Sequence, residues 1–327
     1  MKVLVTGANG FIGTHLCRAL VHAGYRVKGA VWKRDIERPL VEGVEKVTVD
    51  SIDAETRWSS VLTGTDAVIH LAARVHVSIP KRATALEKYR RTNVEGTRRL
   101  ALEAQKSGVV KFIHMSSIKA VGEGYFKRKG DGNEEYEEDT PCRPSDPYGI
   151  SKLEAESTLL EEHQATDMSV FILRPPLVYG PDVRANFLRM MKIIDRGWPL
   201  PLGRADNLRS LIYVRNLTSA ILGFVNAEKV EQGIYHVADK EILSSKELIT
   251  IIAEAMGKHA RIIPCPTGFV YWSAKLFGFG EEADKILKTL VLSTRKVQDQ
   301  LGWFPPFSAR DGLSDTVRWY KSVGNNR

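Results

Sequence analysis

Residues 2–13, KVLVTGANGFIG, decide the fold. An apolar, β-branched run predicts a strand, and the turn after it opens directly into FIGTHLCRALVHAG (residues 11–24), whose apolar spacing predicts a helix. Gly7, Gly10 and Gly13 lie in this turn, where glycine permits a tight bend and lets a pyrophosphate approach the backbone. The N-terminus of the helix would stabilise that anion. The stretch therefore predicts a dinucleotide site at the first turn of an α/β fold.

Short apolar strands and longer amphipathic helices alternate through the first half of the chain. Further strands are predicted at residues 26–32, 45–50, 66–73, 111–117 and 168–175. Long helices are predicted at residues 85–108 and 148–164. This order predicts a Rossmann-type, doubly wound parallel sheet with helices on both faces.

The pattern becomes less regular after Pro175. We predict an NAD(P)-binding domain at residues 1–174 and a smaller C-terminal α/β substrate-binding portion at residues 175–327, some of whose segments return to the sheet. Residues 120–147 are polar and rich in Gly and Pro, which predicts a loop, and whether this loop acts as a mobile lid is left open by the sequence. The aromatic stretch at residues 268–280, with Trp272, Phe277 and Phe279, predicts a helix in the core or at an interface.

Composition excludes several classes of function. The chain has 327 residues, a net charge of +8 and 43% hydrophobic residues, which is typical of a water-soluble protein. Its basic residues are scattered without interleaved aromatics, which argues against nucleic-acid binding and favours an anionic substrate. The three cysteines show no metal-ligand spacing, and no apolar run approaches the ~18 residues of a membrane span. We expect a cytoplasmic protein without a metal site.

The stretch SDPYGISK (residues 145–152) predicts the start of a helix with an unusual polar face. Asp146 is a suitable N-cap and Pro147 suits the first turn. Tyr148 and Lys152 follow four residues apart, on one helical face. They form either a solvated polar face or a proton donor beside the cation that tunes it.

These motifs in combination resemble the extended short-chain dehydrogenase/reductase family. The chain shows a GxxGxxG loop, LAA at residues 71–73, TNVEGT at 92–97, SS at 116–117 and the Tyr-x-x-x-Lys pair. The stretches RPPLVYGP (174–181) and RSLIYVRNL (209–217) resemble the nucleotide-sugar branch, which is similar to UDP-glucose 4-epimerase. The resemblance covers nearly the whole chain.

The resemblance implies a catalytic set. Tyr148 would be the general acid/base, Ser117 would hydrogen-bond the reacting oxygen, and Lys152 would hold the nicotinamide ribose. The Lys152 cation and the positive end of the helix should lower the pKa of Tyr148 below its ordinary value of about 10. His70 and His114 lie within apolar strands, where we expect satisfied core positions.

The resemblance also implies a set of positions that contact the dinucleotide: Gly7, Asn9, Gly10, Phe11, Ile12, Gly13, Lys33, Arg34, Asp50, Ser51, Leu71, Ala72, Ala73, Asn93, Tyr148, Lys152 and Pro175.

Val31 occupies the place where NAD-binding relatives usually carry an acid, and Lys33 and Arg34 follow it. Two cations suit the 2′-phosphate of NADP(H), although they could instead be solvated and Asp35 could reach a ribose. NADP(H) is therefore favoured over NAD(H).

The residues after Ser117 indicate the reaction. Sugar dehydratases of the family carry an Asp-Glu pair there, whereas this chain has Ile118 and Lys119. The fragment SSIKAVGEG (residues 116–124) resembles enzymes that reduce the C4 ketone of UDP-4-keto-6-deoxy-N-acetylhexosamines in surface polysaccharide biosynthesis. A UDP-hexose 4-epimerase with retained NAD is the alternative, and a non-enzymatic NADP-sensing protein is the second.

The resemblance extends to the substrate and the assembly. Asn186 and Arg209 would contact the sugar and the diphosphate of a UDP-linked substrate, together with Ser117. Lys119 and Arg204 are further substrate-binding candidates, and Arg184 is an additional helper. A homodimer built on the helices at residues 85–107 and 148–164 is expected by analogy with the family.

Overall fold

The computed structural model describes residues 1–75, 82–125, 135–163, 166–202, 205–276 and 286–324. Seven parallel strands form its central sheet: β1 (Lys2–Thr6), β2 (Arg26–Trp32), β3 (Val44–Val49), β4 (Ala67–His70), β5 (Lys111–Met115), β7 (Ser169–Arg174) and β11 (Gly233–His236). Their order across the sheet is β11-β7-β5-β4-β1-β2-β3. The predicted doubly wound parallel sheet is confirmed.

The strand order reverses beside β1. From β1 the chain builds outward through β2 and β3, then returns to place β4 on the other side of β1. Because ligands of open parallel sheets bind beyond the carboxyl ends at such a reversal, the turns after β1 and β4 mark the predicted binding crevice.

Helices cover both faces of the sheet. They are α1 (Phe11–His22), α2 (Ser59–Leu62), α3 (Arg82–Tyr89), α4 (Gly96–Lys106), α5 (Pro147–His163), α6 (Ala185–Asp195), α7 (Val214–Asn226), α8 (Ser245–Ala255), α9 (Thr267–Leu276), α10 (Arg295–Leu301) and α11 (Ala309–Gly324). Short two- and three-residue strands complete the fold: β6 (Glu135–Tyr136), β8 (Leu177–Tyr179), β9 (Leu208–Arg209), β10 (Leu211–Tyr213), β12 (Leu243–Ser244) and β13 (Val291–Leu292).

The side chains of each strand alternate between the two faces of the sheet, and an apolar core lies on each face. On β1, Val3 and Val5 join the apolar cluster under α1 and α7, whereas Leu4 joins the cluster under α4 and α5. Successive side chains of a strand point to opposite faces, so a strand covered on both sides has to be apolar throughout. This explains why the predicted strands appear in the sequence as continuous apolar runs.

A third apolar cluster lies outside the sheet, between α6, α8 and α11. It carries the short strands β8, β10 and β12, which follow the residue at which we divided the chain. The strand β11 nevertheless pairs with β7 in the main sheet. The division at residues 174 and 175 stays a prediction.

Two predicted elements differ from the structure. The long helix expected at residues 85–108 is interrupted by a π-helical segment, Arg90–Glu95, between α3 and α4. The expected loop at residues 120–147 contains the short strand β6, which pairs with β13, and residues 126–134 lie outside the described part of the chain.

For the aromatic helix α9, the core alternative of the prediction is wrong, and the interface alternative stays a prediction. Trp272 is 61% exposed, and Phe277 and Phe279 lie outside the described residues. Within the described ranges, no helix has the length and hydropathy needed to cross a bilayer.

Candidate active site

The glycine turn forms a narrow cradle after β1. Gly7 has a φ of +69°, a conformation that favours glycine, and its amide donates to the Ala30 carbonyl at 3.1 Å. A Cβ on Gly13 would lie 2.1 Å from the Gly7 carbonyl oxygen, so only glycine lets α1 start this close to the turn. Gly10 caps α1 without a side-chain acceptor, which leaves the first amides of the helix to bind an anion.

One polar atom in this turn is buried without a partner. The amide nitrogen of Asn9 makes no hydrogen bond within the described structure. A buried donor without a partner costs free energy, so a ligand acceptor at this place would satisfy it. The cradle and the orphaned donor together fit the pyrophosphate of a dinucleotide.

The turn after β4 is fastened to the same crevice. The Ala72 amide donates to the Thr6 hydroxyl at 3.1 Å, and Leu71 and Ala73 flank it. Asn93, in the π-helical segment, accepts from the Arg74 amide at 2.8 Å and donates to the Ser151 hydroxyl at 3.0 Å. Asn93 therefore ties the β4 turn to helix α5, which carries Tyr148 and Lys152.

Two cations gather at the carboxyl ends of β2 and β3. The strand β2 ends at Trp32, one residue beyond Val31, and Lys33 and Arg34 start a 3₁₀ turn. The Arg34 guanidinium lies 3.8 Å from the centre of the Trp32 ring. Lys33 lies 3.5 Å from the Asp50 carboxylate, and both side chains are mostly exposed.

Asp35 is the acid within this turn, and two cations lie beside it. Its carboxylate lies 3.3 Å from Arg38 and 3.9 Å from Arg34. Position 31 is a valine and offers no carboxylate. The Asp35 carboxylate, two residues after Lys33, is already shared by two guanidinium groups.

Asp146 starts α5 as predicted. Its carboxylate accepts from the amides of Tyr148 and Gly149 at 2.9 and 3.0 Å. This cap fixes the first turn of the helix, and with it the backbone of Tyr148. Gly149 allows the helix to approach the Ser117 turn, since a Cβ there would lie 2.4 Å from the Lys119 carbonyl.

Ser117, Tyr148 and Lys152 converge where β5 meets α5. Ser117 follows β5 and caps the 3₁₀ turn Ile118–Ala120. Its hydroxyl interacts with the Tyr148 phenol and favours the ionised form of that phenol, which lowers the Tyr148 pKa. Lys152 is 1% exposed, and its ammonium lies 3.2 Å from His114 Nε2.

The net pKa shift of Tyr148 is opposite to our expectation. Burial raises the pKa of Tyr148 above its ordinary value, the Asp146 carboxylate adds to this, and Ser117 only partly offsets it. Burial also lowers the pKa of Lys152 to about 8. The Glu156 carboxylate acts in the opposite direction and raises that pKa. The phenol is therefore held in its protonated form at neutral pH.

Lys119 lies beside this set but is bound by carboxylates. Its ammonium lies 2.7 Å from Asp146 and 2.9 Å from Glu123. These contacts raise the pKa of Lys119 against the effect of burial, which alone would lower it. Its charge is thus compensated within the protein, and its role as a substrate ligand stays a prediction.

The predicted substrate residues occupy different positions around the C-terminal portion. Arg209 lies on β9 and donates to the Lys288 carbonyl at 2.9 Å. Burial lowers the pKa of Arg209 to about 10, and Glu123 acts in the opposite direction. Asn186 is exposed on the first turn of α6, Arg184 is its exposed N-cap, and Arg204 lies outside the described residues.

The backbone is strained just before α6 and at its first residue. Asp182 and Ala185 have φ values of 70° and 55°, which non-glycine residues rarely adopt. Such strain clusters at functional sites.

The remaining predicted cofactor positions surround the crevice. Phe11 and Ile12 form the first turn of α1, and Ser51 follows Asp50 after β3. Pro175 is buried after β7, and its carbonyl accepts from the Ile118 amide at 3.0 Å. Their contacts with a dinucleotide stay predictions.

A buried network of hydrogen bonds and one ion pair lies behind the site, and it was not predicted from the sequence. Glu156 forms an ion pair with Arg174 at 2.6 Å, with both side chains at most 2% exposed, and it accepts from the Ser116 hydroxyl. Glu156 stands one helical turn after Lys152, a spacing that was available as a signal. The network anchors α5 to the ends of β5 and β7.

We predicted that His70 and His114 are core residues whose ring nitrogens are hydrogen-bonded. This is confirmed for His70, whereas His114 is buried but has a partner at only one nitrogen. His70 has partners at both ring nitrogens, Thr6 at 2.7 Å and Thr97 at 3.0 Å. His114, in contrast, contacts Lys152 through Nε2, and its Nδ1 has no hydrogen-bond partner in the described structure. It belongs to the surroundings of the site.

Comparison with known proteins finds a matching family and several similar proteins. A family model described as the NAD dependent epimerase/dehydratase family matches residues 3–238. A Vibrio cholerae protein named UDP-glucose 4-epimerase is 35% identical, with 99% of this chain and 97% of that protein covered. An Escherichia coli O157:H7 protein named N-acetyl-alpha-D-glucosaminyl-diphospho-ditrans,octacis-undecaprenol 4-epimerase is 26% identical, with 97% and 95% covered.

Solved structures show the same architecture. The UDP-glucuronic acid 4-epimerase from Bacillus cereus, in complex with NAD, superposes with a TM-score of 0.76 at 25% identity and covers 99% of both chains. The protein MoeE5, in complex with UDP-glucuronic acid and NAD, gives a TM-score of 0.75 at 25% identity, with 99% of this chain and 100% of that chain covered.

Proposed function

Because this chain belongs to the NAD dependent epimerase/dehydratase family, we propose a specific reaction for it within the chemistry of that family. It is an enzyme that uses a nicotinamide dinucleotide and acts on a nucleotide-sugar. The proposed reaction is reduction of the C4 ketone of a UDP-linked 4-keto-6-deoxy-N-acetylhexosamine, with NADP(H) preferred. The product would enter surface polysaccharide biosynthesis.

The observation that carries this proposal is the charge at the end of β2. Lys33 and Arg34 follow the strand directly, and both nearby acids are paired with cations, Asp35 with Arg34 and Arg38, and Asp50 with Lys33. A 2′-phosphate would gain charge-assisted hydrogen bonds here, whereas the ribose hydroxyls of NAD would lack their usual carboxylate. An NADPH-type cofactor suits net reduction because it is consumed in each turnover.

The surroundings of Ser117 disfavour elimination of water. The next two positions are Ile118, which is buried, and Lys119, whose ammonium is bound by Asp146 and Glu123. A dehydratase needs an acid and a base beside C5 and C6 of its sugar. These two side chains supply neither.

In the proposed reduction the chain supplies the proton and the orientation. The nicotinamide, when bound, supplies hydride to C4. Tyr148, kept protonated by burial, donates its phenolic proton to the C4 oxygen as that oxygen gains negative charge. Ser117 holds the same oxygen, and the Lys152 ammonium stabilises the phenolate that remains.

Remote contacts with the nucleotide would orient the sugar. Arg209 presents a half-buried guanidinium whose fork fits phosphate oxygens. Asn186 follows the strained turn at Asp182 and Ala185, which places it on a fixed helix start. Binding energy from these groups would hold the ring against the cofactor.

A UDP-hexose 4-epimerase is the second candidate. The 35% identity to a protein named UDP-glucose 4-epimerase and the likeness to an NAD-bound UDP-glucuronic acid 4-epimerase favour it. The same Tyr148, Ser117 and Lys152 would then act first as base and later as acid. Such an enzyme retains its dinucleotide and causes no net redox change.

Cofactor binding separates the two candidates. We expect the double variant Lys33→Ala/Arg34→Ala to bind NADPH at least tenfold more weakly while its NADH affinity stays within twofold. Arg38→Ala is the matched control, because it removes an exposed cation from the loop after this turn and leaves Asp35 paired with Arg34. Affinities would be measured by nicotinamide fluorescence titration. Equal losses for both dinucleotides, or stoichiometric NAD released by denaturing the purified protein, would favour the epimerase.

A further inference from the structure

Lys152 has a partner that its catalytic role does not require. Its ammonium lies 3.2 Å from Nε2 of His114, which belongs to β5 directly before the Ser116–Ser117 turn. Both side chains are buried, and His114 is 0% exposed. The residues that sequence motifs single out do not include His114.

The protonation state of this pair follows from its geometry. An ammonium has only donors, so His114 Nε2 has to be the acceptor and the imidazole has to be neutral, with its proton on Nδ1. Nδ1 has no hydrogen-bond partner in the described structure. Burial and the Lys152 charge lower the pKa of His114 well below its ordinary value, which agrees with a neutral ring.

The three donors of Lys152 can then be assigned. One N–H is directed at His114 on the strand side of α5. Two remain for groups on the open side of the helix, which are the ribose hydroxyls and the Tyr148 phenol in the reaction proposed above. Packing restricts the buried stem of Lys152 but does not set the rotation of its ammonium, so an acceptor behind it decides where the other two donors point.

We propose that His114 is the positioning residue for Lys152: its neutral imidazole accepts one ammonium proton and thereby holds the charged lysine in the orientation that the dinucleotide and Tyr148 require. This inference rests on the role of Lys152 proposed above. It assigns to His114 a function in maintaining the buried positive charge next to the phenol.

Other titratable groups face the pair, and their effects are separable. His70 on β4 is the register partner of His114, at 5.5 Å between ring centres, but its nitrogens are bound by Thr6 and Thr97. Glu156 on α5 raises the Lys152 pKa, and its carboxylate is neutralised by Arg174 on β7. Tyr148 lies on the same helix face.

The test measures the Lys152 pKa directly, without turnover. The full-length protein would carry ¹³C-labelled lysine, and its Lys152 signal would be assigned by comparison with Lys152→Met. We expect His114→Leu to lower the Lys152 pKa by about one to two units, since a buried charge loses its hydrogen-bond acceptor. His114→Gln, whose amide oxygen can accept, should restore most of the shift.

His236→Leu is the matched control. His236 is equally buried on β11 of the same sheet, and its contacts with the Tyr136 carbonyl do not involve Lys152. Its loss should leave the Lys152 pKa within about 0.3 units of the wild-type value. A second measurement, NADPH titration at pH 7, should show at least a threefold weaker affinity for His114→Leu than for His114→Gln.

An unchanged Lys152 pKa in His114→Leu would overturn the proposal, and so would equal pKa values in the Leu and Gln variants. If His114→Leu does not fold, the Lys152 pKa values of His114→Gln and His114→Asn test the proposal instead. Asn carries the same acceptor on a shorter stem, so it should give a Lys152 pKa closer to that expected for Leu. None of these readouts requires the sugar substrate, so a failure of the proposed reductase activity would be seen separately.

Discussion

Tyr148 is the residue on which the proposed chemistry depends. It is held by the Asp146 cap, it faces Ser117, and burial raises its pKa so that it stays protonated at neutral pH. A protonated phenol is the form that a ketone reduction consumes. Its deprotonated form then has to be stabilised by Lys152, whose pKa of about 8 leaves it mostly charged at pH 7.

Replacing this phenol should abolish turnover without unfolding the protein. We expect Tyr148→Phe to lower kcat by roughly 10²–10⁴-fold, the usual contribution of a general acid, while dinucleotide affinity stays within about threefold. Tyr320→Phe is the control, because its hydroxyl donates to Asp195 on the far helix α6. Retention of more than a tenth of the wild-type kcat by Tyr148→Phe would contradict the assigned role.

At the residue scale, motifs predicted the catalytic groups but not their surroundings. Spacing placed Tyr148 and Lys152 on one helical face, and the resemblance to the family supplied their proposed roles, which stay predictions. The predicted direction of the Tyr148 pKa shift was wrong, because the burial of Tyr148 depends on elements that are distant in the sequence. His114 and Arg174 were missed for the same reason, since their partners on α5 are 38 and 18 residues away in sequence.

At the scale of elements, the turn between β1 and α1 is the most constrained part of the site. We expect Gly13→Ala to destabilise the protein by about 1–3 kcal/mol, because the added methyl meets the Gly7 carbonyl oxygen at 2.1 Å. Dinucleotide binding should weaken with it, since the helix start moves away from the cradle. Urea unfolding and NADPH titration would measure the two effects.

Gly268→Ala is the matched control for that experiment. Gly268 lies in the first turn of α9, and a Cβ there meets nothing within 4 Å. Because alanine favours helix, the change should leave stability equal or raise it by up to about 1 kcal/mol. Comparable losses in the two variants would mean that the glycine turn is not specially constrained.

The sequence predicted strands more accurately than loops and connections. Six of the seven sheet strands lie within three residues of their predicted bounds, because burial on both faces demands apolar runs, whereas β11 (Gly233–His236) was not predicted. The π-helical segment at Arg90–Glu95 was not predicted, since its extra residue serves the packing of Asn93 against the β4 turn. The choice between a core and an interface position for α9 was left open, because composition does not reveal which face of a helix is covered; Trp272 is exposed.

At the scale of the whole molecule, buried histidines predict sensitivity to acid. Burial lowers the pKa of both His70 and His236 to about 3, whereas an unfolded histidine titrates near 6.5. Below pH 6.5 the unfolded chain therefore binds more protons than the folded one. The stability that these residues contribute is complete above about pH 6.5 and is lost as the pH falls toward 3.

A variant can isolate this contribution from that of the carboxylates. The free energy of unfolding, measured by urea unfolding at each pH, should fall between pH 7.5 and pH 4.5 in both proteins. We expect this fall to be about 2 kcal/mol smaller in His236→Gln than in the wild type. His259→Gln, at an exposed position, should follow the wild type. The same loss in all three proteins would show that His236 is not titrating as its burial requires.

The assembly state is a further prediction at this scale. Helices α4 and α5 present exposed surfaces on one side of the sheet, which in the proposed homodimer pack against a second copy. Light scattering should give twice the chain mass of 36.6 kDa. Ser157→Arg, on the exposed face of α5, should give the monomer mass, whereas Ser322→Arg on α11 should not. A wild-type monomer would contradict the proposal.

Net reduction is the central claim, and one absorbance measurement tests it. The purified protein would be mixed with UDP-4-keto-6-deoxy-N-acetylglucosamine and either NADPH or NADH, and absorbance of the reduced nicotinamide would be followed. We expect stoichiometric loss of NADPH at a rate at least tenfold above that with NADH, and no loss with Tyr148→Phe. Absence of any consumption, together with tightly bound NAD released on denaturation, would contradict it and identify an epimerase.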